Sequence, residues 1–269
     1  MMRLGLIGHP LGHSLSPKIH AAALEACGLQ GEYSLFPIAP SDLQGLKDLL
    51  TRMRNGEIHG LNVTIPHKQN VMPLLDELTP TAQAIGAVNT ISMRDGKLVG
   101  DNTDAPGFLA DLGGLNIPQV SKALVLGTGG SARAVVYALV HNGWKVSLSA
   151  RRPEQALALA SNYHLPIYQF PIPDSQLPVF DLLVNTTPLG MTPNVDSSPW
   201  PEHLAFPKNA AVYDLVYNPR ETKLVRDARA AGSPAKTGLG MLIEQAALAF
   251  EIWTGRKPPR EILFQKVVE

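Results

Sequence analysis

The sequence predicts an α/β fold built around a doubly wound parallel sheet, in a chain of 269 residues that is long enough for two domains. Three observations carry this. The apolar run Leu124–Leu126 ends in a glycine-rich turn, Gly127-Thr128-Gly129-Gly130-Ser131-Ala132, which opens into a helix-period pattern from Arg133 to Val140. Residues 105 to about 235 alternate strand and helix patterns around that turn, as a doubly wound sheet requires. Apolar residues make up 45% of the chain, enough for a real core.

In order along the chain, Leu4–Ile7 reads as a strand that runs into the loop 9–17. Pro17 behind Ser16 is a standard helix start, with Ser16 as the simple N-cap and Gly28 as the stop. Tyr33–Ile38 is a second strand, and Ser41–Arg54 an amphipathic helix opened by the capping box Ser41-x-x-Gln44. Gly60–Lys68 is a third strand and its exit. Period-two alternation puts Asn62 and Thr64 on one face, and two polar groups leading into Lys68 look like the wall of a polar pocket. Asp95-Gly96 marks a hairpin whose return strand ends at Gly100-Asp101-Asn102-Thr103-Asp104. Those polar residues either cap the helix from about Ala105 or give Asp104 a catalytic neighbour.

Further on, Lys145–Ala150, Asp181–Asn185 and Ala211–Val216 read as strands, while the proline-rich stretch 166–178 is the least legible. Ligands of such sheets sit beyond the carboxyl ends of the strands, so Thr186, Leu215 and Tyr217 are candidates to line a nicotinamide site. Gly238-Leu239-Gly240 opens a last apolar helix with Met241, Gln245, Leu248, Ala249 and Ile252 on one stripe. A glutamine in that stripe must meet a backbone group or point into a polar cavity.

The spacing Gly127-x-Gly129-x-x-Ala132 is a dinucleotide fingerprint of Rossmann type. The first glycine makes the tight turn, the second admits a pyrophosphate to the backbone, and the small third residue lets helix and strand close. Helix-start N–H groups of the loop then face the phosphates. The next strand ends Ala150-Arg151-Arg152, where an NAD enzyme would carry an acid for the ribose hydroxyls. A guanidinium there can grip a 2′-phosphate through paired hydrogen bonds, so the expected cofactor is NADP.

Composition narrows the partners. Lys+Arg and Asp+Glu are balanced at 23 each with no basic run, so neither nucleic acid nor an anionic membrane is an expected partner. No signal peptide or membrane-length apolar run is read, and the lone Cys27 permits no intrachain disulfide; a cytoplasmic protein is expected. The eight histidines show no metal-site spacing, so no metal is expected.

Taken together, the motifs resemble the shikimate dehydrogenase family. They are Ser14-Leu15-Ser16-Pro17, Asn62-Val63-Thr64-x-Pro66-x-Lys68, Gly86-Ala87-Val88-Asn89-Thr90, Asp101-Asn102-Thr103-Asp104, Gly127-x-Gly129-Gly130, Asn185-Thr186-Thr187-Pro188-x-Gly190-Met191 and Gly238-Leu239-Gly240-Met241-Leu242-x-x-Gln245, in family order over nearly the whole length. The resemblance implies NADP-linked interconversion of shikimate and 3-dehydroshikimate in aromatic amino-acid biosynthesis. It also implies two domains facing each other across a cleft. A substrate domain of residues 1–104 plus 239–269 would carry the returning last helix, and 105–238 would form the NADP domain, in a monomer or homodimer.

Carried onto this chain, Ser14 and Ser16 would hold the substrate carboxylate. Asn62, Thr64, Asn89, Asp104, Tyr217 and Gln245 would surround the ring hydroxyls and carboxylate, and Lys68 paired with Asp104 would be the catalytic acid/base. Gly238 joins Gly127–Ala132, Ala150–Arg152, Thr186 and Leu215 as a cofactor residue. Two departures stand out: Ala150-Arg151-Arg152 replaces a frequent Asn-Arg-Thr, and His67 stands where an aromatic residue is frequent. A lysine, protonated near neutrality, can stabilise and then protonate the alkoxide that hydride transfer generates. The rival readings are a quinate/shikimate dehydrogenase, against whose frequent use of NAD Arg151 argues, and a non-catalytic NADP-binding sensor, against which the retained Lys68 and Asp104 argue.

Overall fold

The computed structural model describes residues 1–115, 117, 121–173, 177–207 and 210–268. The chain divides into two compact units, Met1–Gly107 with Leu242–Glu269, and Phe108–Met241. Residues 174–176 of the proline-rich stretch lie outside the described residues.

The first unit contains β1 (Met2–Gly8), α1 (Ser16–Ala26), β2 (Gly31–Pro37), α2 (Leu43–Arg54), β3 (Gly60–Val63), β4 (Glu77–Leu78), α3 (Pro80–Ile85), β5 (Thr90–Arg94) and β6 (Lys97–Asp101). Its six strands run in the order β2-β1-β3-β5-β6-β4. Strand β1 is parallel to β2 and β3, whereas β5 is antiparallel to both β3 and β6. The Asp95-Gly96 hairpin forms because both residues adopt positive φ, 50° and 77°.

Two helix starts differ from the sequence expectation. Ser16 is already helical rather than an N-cap, and its backbone N–H donates to Ser14 Oγ at 3.2 Å. The box at Ser41 does not form, because Asp42 caps α2 by accepting from Gly45 N at 2.8 Å. A carboxylate one residue closer to the first turn meets an open N–H there and complements the helix dipole. Gln44 donates instead to Asp48 Oδ1. The inner face of α2, Leu46, Leu49, Leu50 and Met53, packs into a core with Ile7, Leu61, Val63 and Ile91.

The helix α4 (Asp104–Leu112) leads into the second unit, which holds β7 (Lys122–Leu126), α5 (Gly130–His141), β8 (Lys145–Ala150), α6 (Pro153–Ala160), β9 (Ile167–Gln169), β10 (Leu182–Asn185), β11 (Ala211–Asp214), α7 (Lys223–Ala230) and β12 (Ala235–Thr237). All neighbours in the sheet, ordered β12-β11-β10-β7-β8-β9, are parallel. The fold class is the expected one: mixed α/β with a doubly wound parallel sheet. The sheet reverses direction of winding between β7 and β10, which makes the glycine turn after β7 a topological switch point.

The expected alternation breaks between β9 and β11, where no helix occurs among the described residues. Pro188, Pro193, Pro199, Pro201 and Pro207 remove helix donors from the β10–β11 connection. That connection instead buries Trp200 and Leu204 against Leu126, Leu183 and Val212. The helix read as the last, α8 (Leu239–Thr254), is followed by α9 (Arg260–Val268): Gly255, at φ 69°, leads the chain out of α8, and Pro258-Pro259 precedes the next helix. Helix α9 packs on α1. Helix α8 is apolar beyond one stripe, with Ile243, Ala246, Ala247 and Phe250 buried beside Met241 and Ala249. No helix among the described residues is long and apolar enough to cross a membrane.

Candidate active site

In the first unit the polar residues converge where β3, β5 and the start of α4 meet. The turn after β3 is pinned from three sides: His67 N donates to Thr64 O at 2.9 Å, His67 Nε2 to Ile38 O at 2.7 Å, and Val88 N to Lys68 O at 2.7 Å. The imidazole at position 67 is therefore a buried tether. The pinned turn delivers Lys68, whose Nζ donates to Asp104 Oδ2 at 2.6 Å with both residues buried, at 9% and 4% exposure.

The other carboxylate oxygen, Asp104 Oδ1, accepts from Asn89 Nδ2 at 2.9 Å. Asn89 Nδ2 also faces Thr103 Oγ1 at 2.9 Å and Gln245 Oε1 at 3.3 Å, and Asn89 Oδ1 accepts from Thr103 N at 2.7 Å. Gln245 Nε2 donates to Leu242 O at 2.8 Å, so this glutamine meets a backbone group and also the polar cluster. Asn102 Oδ1 receives Asp104 N at 3.1 Å and its Nδ2 reaches Ala87 O at 2.9 Å, which locks the start of α4 to the turn before β5. Asn62 Oδ1 accepts from Tyr33 Oη at 2.8 Å, while Asn62 Nδ2 donates to Asn89 O at 3.2 Å.

Lys68, Asp104, Asn89, Gln245 and Asn62 thus share one hydrogen-bonded network. Thr64 holds its place through the backbone, donating from N to Ile7 O at 2.8 Å. The loop that carries Ser14 and leads to Ser16 at the start of α1 is tied to the same turn where His9 N donates to Ile65 O at 2.9 Å. Tyr217 belongs to the other unit. Sequence reading passed over Thr90, Thr103, Tyr33 and His20. The two threonines lie inside the quoted motifs, whereas Tyr33 and His20 carry no pattern that separates them from core aromatics. His20 is wholly buried and stacked on Tyr33, centroids 4.3 Å apart. Burial pushes its imidazole down to about 3, the neighbouring Asn62 side chain opposing in part.

In the second unit every cofactor residue expected from the sequence lies on, or just beyond, the carboxyl end of a parallel strand. Gly127 follows β7 with φ 112°, and a Cβ there would come within 2.5 Å of Thr186 Oγ1. Only glycine fits such a conformation and approach. Gly129 caps α5 at φ −73° without a side chain, and a Cβ on it would meet nothing within 4 Å. Gly130, Ser131 and Ala132 form the first turn of α5, the positive end of its dipole. Ala132 is fully buried, where a larger side chain would part the helix from the sheet. Thr128 Oγ1 donates to Gln155 Oε1 at 3.2 Å, joining the loop to α6.

Arg151 and Arg152 are exposed after the buried Ala150. Thr186 Oγ1 donates to Leu126 O at 2.6 Å, and Gly238 sits so close to Leu215 that a Cβ would lie 2.5 Å from its carbonyl oxygen. Beneath these loops the fully buried Asp214 accepts from Asn185 Nδ2 (2.8 Å), Val216 N (3.1 Å) and Thr222 Oγ1 (2.6 Å). Burial pushes its carboxyl up to about 6 against the pull of those donors.

Comparison with known proteins gives the family. The model of the shikimate dehydrogenase substrate binding domain matches residues 6–91, and that of the shikimate 5′-dehydrogenase C-terminal domain matches residues 238–263. A shikimate dehydrogenase (NADP(+)) of Shouchella clausii is 43% identical over 97% of this chain and 96% of its own. The chain belongs to the shikimate dehydrogenase family. A second shikimate dehydrogenase (NADP(+)), from Thermus thermophilus, is 44% identical over 96% of this chain and 94% of its own. The crystal structure of Thermus thermophilus shikimate 5-dehydrogenase in complex with NADP(H) and shikimate matches with a TM-score of 0.90 at 42% identity, covering 100% of this chain and 99% of that one. The shikimate dehydrogenase motifs quoted above account for nearly every polar residue of the network, and Tyr33 and His20 lie outside them.

Proposed function

We propose that the chain catalyses the reversible NADP-linked reduction of 3-dehydroshikimate to shikimate, a step of aromatic amino-acid biosynthesis. The observation that carries this is the buried Lys68–Asp104 pair at 2.6 Å, set among the amides of Asn89 and Gln245. A site of amides, hydroxyls and one ion pair suits a polyhydroxylated ring, because an analogue that lacks a hydroxyl leaves a buried group unpaired.

The second unit fits the dinucleotide. Open space in front of Gly129 leaves room for a pyrophosphate against the loop 127–132. Arg151 and Arg152 would hold the 2′-phosphate, with no acid at Ala150 to repel it, and Thr186, Leu215 and Gly238 would line the nicotinamide. When bound, NADPH supplies the hydride. Reduction of the ring ketone builds negative charge on its oxygen. Lys68 Nζ answers that charge as a cation and then donates the proton; in the oxidative direction it receives it. Asp104 directs the ammonium, and Asn89 holds Asp104 by its other oxygen. Ser14 and Ser16 would take the substrate carboxylate, with Asn62, Thr64 and Tyr217 completing the ring contacts. Residues 1–104 with 239–269 would form the substrate domain and 105–238 the NADP domain, in a cytoplasmic monomer or homodimer.

The test is direct. Purified protein is given shikimate or quinate with NADP or NAD while reduced-nicotinamide absorbance is followed. Turnover confined to shikimate with NADP is expected. Equal use of quinate or NAD would move the assignment to a quinate/shikimate enzyme, and no turnover in any combination would point to a sensor.

A further inference from the structure

We propose that Tyr33 is a positioning residue of the substrate site, holding the Asn62 amide in place by its oxygen and starting a one-way relay of hydrogen-bond donors that ends on Asp104. The relay can be followed atom by atom. Tyr33 Oη donates to Asn62 Oδ1 at 2.8 Å. Asn62 Nδ2 donates to Thr90 Oγ1 at 3.4 Å and to Asn89 O at 3.2 Å. Thr90 Oγ1 donates to Asn89 Oδ1 at 3.0 Å, Asn89 Nδ2 donates to Asp104 Oδ1 at 2.9 Å, and Lys68 closes the chain on Oδ2 at 2.6 Å.

The direction of the relay follows from its anionic end. A carboxylate at the end accepts only, so Asn89 must turn its NH₂ toward Asp104 and its oxygen toward Thr90. Thr90 then receives from Asn62, whose oxygen is left for Tyr33. Each donor is polarised by the next, and the anion at the end strengthens the series. Both Asn62 N–H groups are therefore turned inward, and what Asn62 can offer a ligand is the second lone pair of Oδ1, an acceptor. This deepens the substrate reading, on which it rests: Asn62 would recognise a ring hydroxyl as donor and not the substrate carboxylate.

Two neighbours keep Tyr33 in place. His20 stacks against its ring with the planes 3° apart, and His20 in turn meets Trp253 at 5.4 Å. Trp253 is fixed by its Nε1–H donated to Ile91 O at 2.9 Å. The phenol is thus held from behind by an aromatic stack, and its hydroxyl is its hold on the amide oxygen.

The experiment is Tyr33→Phe, which keeps the stack and removes the hydroxyl, with shikimate affinity measured by titration calorimetry and steady-state KM values for both substrates. A 5- to 20-fold weaker shikimate Kd and higher shikimate KM are expected, with the NADP KM unchanged and kcat within about threefold. In an Asn62→Ala background the same substitution should cost nothing further, because its effect passes through Asn62. Equal shikimate Kd for Tyr33→Phe and wild type, or losses that multiply in the double variant, would overturn the proposal. Calorimetry registers shikimate without turnover, so a wild type that binds shikimate but reduces no NADP sinks the reaction alone. A wild type that binds no shikimate sinks both readings.

Discussion

Lys68 and Asp104 form a hydrogen-bonded ion pair of 2.6 Å with little of either side chain exposed. Taking two charges out of water is costly, and removing one partner strands the other. Lys68→Ala should therefore act twice. Loss of the proton donor should lower kcat by roughly 10²- to 10⁴-fold with a modest change in shikimate KM. The uncompensated Asp104 should lower stability by roughly 3–5 kcal/mol in denaturant titration. An unchanged kcat would remove Lys68 from the chemistry.

Arg151 makes a separate prediction about cofactor choice. It is exposed beyond β8, beside a buried alanine where an acid would repel a phosphate. Arg151→Ala should raise the NADP KM by about 10-fold or more through loss of a charge-assisted contact, while leaving any weak NAD activity as it was. Equal losses with both cofactors would make the arginine a structural element of the α6 start.

How much of this was legible depended on whether neighbouring positions dictate the geometry. The glycine loop was readable because three positions within six residues fix one turn, and Gly127 at φ 112° confirms the reason. Lys68 and Asp104 are different. They are 36 residues apart, and only the resemblance paired them, since no local periodicity links a turn after one strand to the first residue of a helix. Tyr33 was invisible for a physical reason: a half-buried aromatic on an edge strand looks like packing, and its role lies in a hydroxyl aimed 29 residues away. At α2 the error was smaller. Ser41 and Asp42 both satisfy the capping preference, and the backbone decided for the residue whose oxygen reaches Gly45 N.

The two glycines of the loop should respond differently to a methyl group. Gly127→Ala places a Cβ at positive φ and against Thr186, so the melting temperature should fall. Gly129→Ala adds its Cβ in open space at an ordinary φ of −73°, so the free protein should melt as before. NADP affinity should nevertheless drop in both. A Gly129→Ala protein with wild-type NADP affinity, measured by fluorescence titration, would mean that the pyrophosphate does not approach this face.

Asp214 predicts a pH dependence with a defined sign. Its carboxyl stands at about 6 in the folded protein against 3.8 as the ordinary value. Between those values the folded state holds more protons than the unfolded one, so this group makes stability fall as pH rises through the window. Two units correspond to roughly 3 kcal/mol, felt in full above about pH 6 and absent below about pH 4. Asp214→Asn keeps an oxygen for Asn185 Nδ2 and Val216 N, and its NH₂ can donate to the Thr222 hydroxyl, which also accepts from Val225 N. Denaturant titrations of both proteins from pH 4 to pH 8 should show the variant gaining stability over wild type as pH rises, then levelling off. A difference that stays constant over that range would mean that Asp214 ionises as easily in the folded chain as in the unfolded one.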